Sequence, residues 1–296
     1  MKIIVTGGSG FLGRAITKIA LEKGSNLWAI NRTNATGPFQ GLELKNPNHI
    51  SSFRNILNNI WPDFVIHLAA KTSIADSIQN PVNCLENNLL IDEHLLQVIS
   101  NLDSNPRLII FSSSAIYDTS TNPITEDSRL MPNSPYAFSK LITERLAMRY
   151  VNSFIIRPFF ILDKSKLNDP LADWYKQLLA IRDRQAVSSI KTGNLNIVRD
   201  YLELEDAAKI IISLLSLGKP GEIYNLCSAT KTSLYDVLTG MILRSNLNVN
   251  ILEGYIEDVN VKSRSFCIGD NAKLRKLGIV PKFELGIFLD KYMMDF

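Results

Sequence analysis

Cysteine is scarce in this sequence, and long apolar runs are missing. The three cysteines, Cys84, Cys227 and Cys267, lie far apart and form no C-x-x-C pair. They are interpreted as buried free thiols, and we expect no bound metal. Residues 1–13 lack the pattern of a signal peptide, and no stretch approaches the ~18 apolar residues of a membrane span. These absences predict a cytoplasmic protein that has no membrane segment.

A strong excess of one charge sign is missing as well. The chain has 32 Lys and Arg against 29 Asp and Glu among 296 residues, a formal charge of +3, and its basic residues form no block. Such a small and evenly spread charge does not indicate a nucleic-acid partner. Hydrophobic residues make up 46% and charged residues 21%, which is typical of a soluble globular protein.

Short apolar strand patterns alternate with helical patterns over the first 160 residues. Strands are predicted at residues 2–5, 27–30, 41–44, 64–68, 108–111 and 154–156, and helices at 11–23, 50–60, 84–102 and 136–151. This alternation predicts an α/β fold with a Rossmann-type doubly wound parallel sheet. The apolar set of the 84–102 helix is Leu85, Leu89, Ile91, Leu95, Leu96 and Ile99.

The pattern changes after residue 160, which predicts a second, smaller part of mixed structure. Its expected elements are helices at 170–181 and 233–243, capped by Asp169 and Ser233, and strands at 222–224 and 249–252. The predicted division is a dinucleotide-binding Rossmann domain over residues 1–160, with a returning segment near 195–217, and a substrate-binding domain over 161–296.

The segment between the first strand and the first helix is rich in glycine. Gly7, Gly10 and Gly13 have the spacing G-x-x-G-x-x-G. The first glycine permits a tight turn, the second a close approach to a pyrophosphate, and the third close packing of the helix on the strand. Phosphates bind at the positive N-terminus of a helix, here the turn that contains Phe11 and Leu12. The segment predicts a dinucleotide-binding loop, with a tight turn that binds nothing as the alternative.

The end of the second predicted strand bears on which dinucleotide binds. An acidic residue at this point would bind the ribose 2′-hydroxyl of NAD, but the sequence reads Asn31-Arg32. The Arg32 guanidinium offers charge and donors to a 2′-phosphate. We therefore favour NADP(H) over NAD(H), and the alternative reading is that Arg32 is an ordinary surface arginine.

A tyrosine and a lysine lie four residues apart at the start of the 136–151 helix. Tyr136 and Lys140 therefore share one helical face. A nearby lysine cation and a positive nicotinamide ring favour the phenolate and bring the tyrosine pKa down from ~10 towards the working range. Tyr136 then becomes an acid–base catalyst for an alcohol–ketone pair. Serines at the end of the fifth strand, among them Ser113, can orient the reacting oxygen.

Together these motifs resemble the extended short-chain dehydrogenase/reductase family, which contains nucleotide-sugar epimerases, dehydratases and reductases. The motifs TGGSGFLG at 6–13, HLAA at 67–70, SSSAIY at 112–117, SPYAFSK at 134–140 and RPF at 157–159 follow the family's order over nearly the whole chain. The resemblance implies that Ser113 is the catalytic serine and that Leu68, Ala69 and Ala70 line the cofactor. His67 is interpreted as a strand histidine without chemistry.

Segments of the second half are similar to the GDP-4-keto-6-deoxy-mannose reductases of that family, at 192–195, 198–202 and 221–228. This resemblance implies that Arg199 contacts a substrate phosphate, which suits a bidentate guanidinium. The alternative is a buried ion pair of Arg199 with Asp200 or Asp206.

Further substrate-binding candidates are Thr72, Ser114 and Arg264, with Lys262 as a weak phosphate candidate beside Arg264. The chain departs from these reductases at 160–163, where Phe-Ile-Leu-Asp stands in place of an Asn-His segment. The sugar and the base of the substrate therefore stay open.

The family's activities can be partly separated by residue type. Its dehydratases have an Asp-Glu pair where this chain has Ser114 and Ala115, which cannot serve as an acid–base pair, so dehydration is rejected. We expect NADPH-dependent reduction of the 4-keto group of a 4-keto-6-deoxy nucleotide sugar, in deoxysugar or polysaccharide biosynthesis. A GDP-sugar is favoured, and dTDP-, CDP- and UDP-sugars remain open.

Two other functions stay as alternatives. One is a nucleotide-sugar 4-epimerase that keeps NAD tightly bound. The other is a non-catalytic dinucleotide sensor, which fold alone does not exclude but which needs no matched serine, tyrosine and lysine. A homodimer is also expected, with the helix near residues 85–99 as its candidate interface.

Overall fold

A parallel sheet of seven strands runs through the centre of the part of the chain that the structure describes. The computed structural model describes residues 1–32, 39–42, 44–166, 169–184, 187–254 and 265–296. In chain order its strands are β1 Lys2–Thr6, β2 Asn26–Asn31, β3 Phe39–Gly41, β4 Phe64–His67, β5 Arg107–Phe111, β6 Ser153–Pro158, β7 Phe160–Leu162, β8 Ser189–Thr192, β9 Val198–Arg199, β10 Tyr201–Glu203, β11 Ile223–Leu226, β12 Thr232–Ser233, β13 Asn250–Glu253 and β14 Phe266–Cys267.

Helices cover the sheet and build most of the second half. In chain order they are α1 Phe11–Glu22, α2 Ile50–Ile60, α3 Ile74–Gln79, α4 Pro81–Ile99, α5 Pro135–Ala147, α6 Pro170–Arg182, α7 Leu204–Leu217, α8 Leu234–Ser245, α9 Ala272–Lys276 and α10 Leu285–Tyr292, with short 3-10 helices at Pro47–His49 and Ser114–Ile116.

The strand order in the large sheet is β3-β2-β1-β4-β5-β6-β11, and all its pairs are parallel. Val5 of β1 lies opposite Ala29 of β2 on one side and Ile66 of β4 on the other. The chain therefore winds outward in both directions from β1 and β4, and a crevice forms where their carboxyl ends separate. This confirms the predicted Rossmann-type sheet.

Both faces of the sheet are dry, which explains why its strands are continuous apolar runs. Ile3 and Val5 pack with α1 and α7 on one face. Ile4 and Val65 pack with α2 and α4 on the other face. Strands that are buried on both sides need apolar residues at every position, and the predicted runs are of this kind.

The last strand of the sheet comes from far along the chain. Helix α7 packs against α1, and β11 then pairs with β6, with Tyr224 opposite Ile156. Helix α7 lies inside the expected returning segment near 195–217, and β11 follows it. The boundary of the two domains at residue 160 remains a prediction.

A second apolar core holds the smaller part together. It joins α6, α8 and α10 around Trp174, Leu238 and Phe288. The predicted N-caps are confirmed: the Asp169 carboxylate accepts a hydrogen bond from the Ala172 N–H at 2.9 Å, and Ser233 forms a capping box with Asp236.

Helix α4 differs from its prediction in the face that it buries. Its buried residues are Cys84, Asn88, Asp92, Leu95, Val98 and Ile99. Among the predicted apolar set, Leu85, Leu89, Ile91 and Leu96 are only half-buried. Polar residues thus occupy two of the buried positions, because α4 packs there against the polar side of α5.

An ion pair in the interior joins α5 to the sheet. Arg157 of β6 donates two hydrogen bonds of 2.8 Å to the carboxylate of Glu144, and both residues are buried. Arg157 also donates to the Tyr117 hydroxyl and to the Glu126 carbonyl, each at 2.8 Å. The guanidinium therefore connects β6 with α5 and with the loop that precedes it.

Arg157→Met tests the contribution of this ion pair to stability. The substitution leaves the Glu144 carboxylate buried without its counter-charge, so we expect a loss of about 3–5 kcal/mol in the free energy of unfolding. Arg145→Met, at an exposed position of α5, is the control and should change it by less than about 0.5 kcal/mol. Urea unfolding measures both, and equal small losses would contradict this account.

Candidate active site

The glycine loop between β1 and α1 is shaped by close backbone contacts. A Cβ on Gly7, whose φ is +71°, would lie 2.9 Å from the Ala69 nitrogen, and a Cβ on Gly13 would lie 2.4 Å from the Gly7 oxygen. These neighbours are main-chain atoms that cannot rotate away. Gly10, at the N-cap of α1, has no side chain that could cover the free N–H groups of the first turn. The loop leaves room for a phosphate group at this helix terminus.

Asn31 supports the glycine loop from the end of β2. Its side-chain oxygen accepts a hydrogen bond from the Ser9 N–H at 2.7 Å. Its Nδ2 atom is buried and has no hydrogen-bond partner among the described residues. A buried donor without a partner costs about 1–3 kcal/mol, so the site is well suited to a ligand that offers an acceptor at this point.

A cleft of about 510 Å³ opens at the crevice of the sheet. All twelve residues that the sequence predicts to bind the cofactor line it: Gly7, Gly10, Phe11, Leu12, Gly13, Asn31, Arg32, Leu68, Ala69, Ala70, Tyr136 and Lys140. Thr72, a predicted substrate residue, lines it too. The described lining residues include the cations of Arg32, Lys45, Lys71 and Lys140 and no carboxylate. The cleft therefore suits a polyanionic ligand such as a dinucleotide.

Tyr136 and Lys140 reach this cleft from the first turns of α5. Ser134 caps the helix, since its hydroxyl accepts a hydrogen bond from the Ala137 N–H at 3.2 Å, and Pro135 occupies the first turn. Both site residues are buried. Ser113, at the end of β5, hydrogen-bonds with the Tyr136 side chain. The three predicted catalytic residues thus come together at one place.

Burial is the largest influence on the titration of this pair. It raises the pKa of Tyr136, the hydrogen bond with Ser113 opposes the rise, and the Cys84 thiol adds to it. Burial lowers the pKa of Lys140, and Asp92 is the strongest of the groups that oppose this. From the charges near the phenol, the sequence predicts a lowered Tyr136 pKa. Removal of the phenol from water was not considered there, and it raises the pKa.

A polar layer between α4 and α5 was missed by the sequence analysis. The Asn88 Nδ2 donates to the Ser139 hydroxyl at 2.9 Å, and its side-chain oxygen accepts from the Lys71 N–H at 2.8 Å. Asp92, one turn further along α4, contacts His67. A signal was available, because Asn88 and Asp92 have the i, i+4 spacing of residues on one helical face. They were overlooked because only apolar residues were used to find that face.

A second cavity of about 600 Å³ lies in the smaller part, between α6 and strands β8 and β9. Arg199 lines it, with its guanidinium 4.9 Å from the centre of the Phe160 ring. Lys166 is also part of the lining. Asp200, expected as an alternative partner of Arg199, accepts hydrogen bonds from the main-chain N–H groups of residues 228, 229 and 269.

The remaining substrate candidates are Ser114, Arg264 and Lys262. Ser114 is buried in the short helix Ser114–Ile116. Arg264 and Lys262 lie outside the described residues.

Comparisons with known proteins agree with this geometry. Residues 3–227 match the model of the NAD dependent epimerase/dehydratase family. The chain is 26% identical to GDP-6-deoxy-D-mannose reductase of Pseudomonas aeruginosa and 29% identical to GDP-6-deoxy-D-talose 4-dehydrogenase of Aggregatibacter actinomycetemcomitans. Each match covers 80% of this chain and 78% of the relative. Several dTDP-glucose 4,6-dehydratases are also similar.

Solved structures share the fold. The structure of RMD from Pseudomonas aeruginosa complexed with NADPH superposes with a TM-score of 0.84 at 23% identity, over 99% of this chain and 98% of the other. UDP-glucose 4-epimerases superpose nearly as well. This likeness therefore establishes the fold and leaves the choice of activity to the site residues.

Gly13→Ala tests whether the cleft holds a dinucleotide. The added methyl group would meet the Gly7 carbonyl at 2.4 Å and displace the loop, so we expect the affinity for NADPH to fall by about 100-fold or more, a change that ~3 kcal/mol produces. Gly286→Ala in α10 is the control, since its methyl group meets only the end of Arg244, at 3.8 Å. Calorimetric titration measures both. Equal NADPH affinity in the two variants would contradict the assignment.

Proposed function

The chain belongs to the NAD dependent epimerase/dehydratase family, and we propose that it reduces the 4-keto group of a 4-keto-6-deoxy nucleotide sugar with NADPH. The coarser statement, an NAD(P)-dependent enzyme that modifies nucleotide sugars, follows from the family and from its relatives. The finer proposal depends on the charge and the proton donors of the cleft.

One observation carries the proposal: the cleft contains a buried phenol and a buried lysine, and its described lining contains no carboxylate. Elimination of water from a sugar needs an acid–base pair. The corresponding positions, Ser114 and Ala115, offer neither an acid nor a base near neutral pH. A reductase needs only one proton donor beside the hydride source. The composition of the site therefore favours reduction over dehydration.

Three polar residues of the site have a proposed task in this reaction. NADPH, when bound in the cleft, would supply the hydride. The raised pKa of Tyr136 keeps its phenol protonated, which is the state needed to donate a proton to the forming alkoxide. The Ser113 hydroxyl orients the carbonyl oxygen. The Lys140 ammonium stabilises the phenolate that remains and can hold the nicotinamide ribose.

The cations at the cleft support NADP(H) as the cofactor. Arg32 is exposed at the end of β2, where an acidic residue would be expected for NAD, and Lys45 lines the same cleft. Both can bind a 2′-phosphate. RMD, a structural relative, was solved with NADPH, whereas the epimerase of Thermus thermophilus was solved with NAD.

The second cavity is the proposed site for the nucleotide of the substrate. Arg199, Lys166 and Lys176 bring three cations to its wall, against the two carboxylates of Asp169 and Asp173, and a guanidinium can bind a diphosphate in a bidentate way. Thr72 lines the first cleft. Thr72, Ser114 and Arg264 stay as proposed substrate residues. A GDP-sugar is favoured because the relatives named above act on GDP-sugars.

A homodimer is proposed through the outer face of α4 and α5. Phe138 is 49% exposed and Ile142 is 39% exposed on α5, and Leu85 and Leu89 are half-buried on α4. A patch of this kind on two packed helices is typical of a two-fold interface.

The location of the protein and its lack of other partners are inferred from its composition. In the described ranges, no helix is long and apolar enough to cross a membrane. A cytoplasmic location and the lack of a nucleic-acid partner remain proposals that rest on composition.

NADPH consumption tests the proposed reaction. With GDP-4-keto-6-deoxy-mannose, the purified protein should oxidise NADPH stoichiometrically and with a higher kcat/KM than NADH. Tyr136→Phe removes the proton donor and should lower kcat by about 10²–10⁴-fold. Tyr235→Phe, at an exposed position of α8, is the control and should keep full activity.

Three results of these measurements would contradict different parts of the proposal. No NADPH oxidation with the GDP-, dTDP-, CDP- or UDP-linked keto sugars would contradict the reductase proposal. NAD that stays bound through purification would point to the epimerase. Undiminished turnover in Tyr136→Phe would remove Tyr136 as the proton donor.

Ile142→Glu tests the proposed dimer. The charge would be buried in the interface, so the variant should elute as a monomer in size-exclusion chromatography with light scattering, while the unmodified protein should have the mass of two chains. Leu243→Glu, at an apolar and more exposed position on α8, should leave the dimer intact. A monomeric unmodified protein would contradict the proposal.

A further inference from the structure

Two charged side chains of opposite sign are buried on neighbouring helices at the base of the cleft. Asp92 of α4 and Lys140 of α5 are each only 2% exposed, and α4 and α5 pack against each other. An isolated buried charge is strongly disfavoured in a protein interior, so buried charges are normally paired or neutralised. Each of these two buried charges therefore needs a neutralising partner in the fold.

The hydrogen bonds of Asp92 join α4 to α5 and to the end of β4. One carboxylate oxygen contacts His67 Nε2 at 2.8 Å, and the other accepts from the Thr143 hydroxyl. The other ring nitrogen of His67 lies 2.7 Å from the Thr6 hydroxyl, which itself accepts a hydrogen bond from the Ala69 N–H at 3.3 Å. Thr143 lies three residues after Lys140 on α5, so Asp92 contacts the helical face that carries Lys140.

The other charged groups around Lys140 do not replace Asp92. Glu144 on the same helix is held by both arms of Arg157 from β6. Among the described residues, the other titratable groups near this region are Cys84 on α4, Tyr136 on α5, Asp76 on α3 and Lys71 before it. Burial raises the pKa of Cys84 and of Tyr136, so both are neutral at pH 7, and Asp76 is exposed. Asp92 is therefore the buried carboxylate near Lys140 that no arginine holds.

We propose that Asp92 is a positioning residue of the active site, which keeps the buried Lys140 protonated and, through His67 and Thr6, holds the cofactor-lining segment at Ala69 against the same helix pair. The proposal rests on the proposed function only for what Lys140 does in catalysis. The charge pairing itself is a property of the folded chain.

The titration of Lys140 agrees in direction with this pairing. Burial lowers its pKa, and the Asp92 charge is the largest of the influences that raise it again. Loss of the Asp92 charge should let Lys140 lose its proton at a lower pH than in the unmodified protein. If the ammonium form is the active one, the alkaline side of the pH–rate profile should move to lower pH with it.

Asp92→Asn tests the proposal, because it keeps the shape of the side chain and removes its charge. Glu93→Gln, the next residue on α4 and exposed, is the matched control. NMR of protein with ¹³C-labelled lysine follows the Lys140 titration, with its signal assigned from the Lys140→Met variant. The Lys140 transition should move to lower pH in Asp92→Asn and not in Glu93→Gln. An unmoved transition would overturn the proposal.

Turnover provides a second readout. The pH at which kcat falls to half of its maximum on the alkaline side should be lower in Asp92→Asn than in Glu93→Gln by at least about half a pH unit, a threefold change in the proton affinity of Lys140. If the protein proves not to be a reductase, the NMR titration still decides whether the pairing exists. The two failures are therefore distinguishable.

A stability cycle covers the case in which Asp92→Asn folds poorly. Lys140→Met and Asp92→Asn each leave one buried charge without its counter-charge, whereas the double variant removes both. The double variant should therefore unfold at a higher urea concentration than either single variant. Additive losses would show that the two charges do not interact and would overturn the proposal.

Discussion

The position of helix α5 is the constraint on which the site depends. The helix carries Tyr136 and Lys140 near its first turn, and buried polar contacts from the sheet and from α4 fix it. Arg157 of the sheet holds Glu144 towards the C-terminal end. Asn88 and Asp92 of α4 contact Ser139 and Thr143 of α5. Buried polar groups need specific partners, so these contacts permit one register of α5 and set the place of the phenol.

The sheet brings a ligand site to that place. Strands β1 and β4 separate at the switch point of the sheet, and the glycine loop after β1 packs directly against the segment after β4, at Ala69. The helix N-terminus of α1, the cations of the cleft and the phenol of α5 therefore face one volume. The residues that would hold a dinucleotide and the proposed proton donor therefore line one cleft.

Local patterns in the sequence were enough to predict much of this. The apolar runs identified the central strands because each is buried on both faces, and the glycine spacing located the loop because Gly7 and Gly13 have no space for a side chain. The twelve predicted cofactor residues all line one cleft. The alternation of elements indicated the fold, and the caps at Asp169 and Ser233 were correct because they need only a few neighbouring residues.

Features that depend on distant contacts were missed or misjudged. The pairing of β11 with β6 joins residues separated by many positions, and no local pattern predicts that partner. The polar part of the buried face of α4 was overlooked because its polar residues pack against polar partners on α5. The rise that burial gives the Tyr136 pKa was not foreseen, because burial is a property of the whole fold. The second cavity around Arg199 is formed by segments remote in the sequence.

The fate of the hydride is the most direct test of the central claim that this site reduces a keto sugar. NADPH in which both hydrogens at C4 of the nicotinamide are deuterium is incubated with the protein and a 4-keto-6-deoxy nucleotide sugar, and the product is analysed by mass spectrometry and NMR. The account predicts a product alcohol with one deuterium at C4 of the sugar. A product without deuterium, or deuterium that stays entirely in the cofactor, would contradict it.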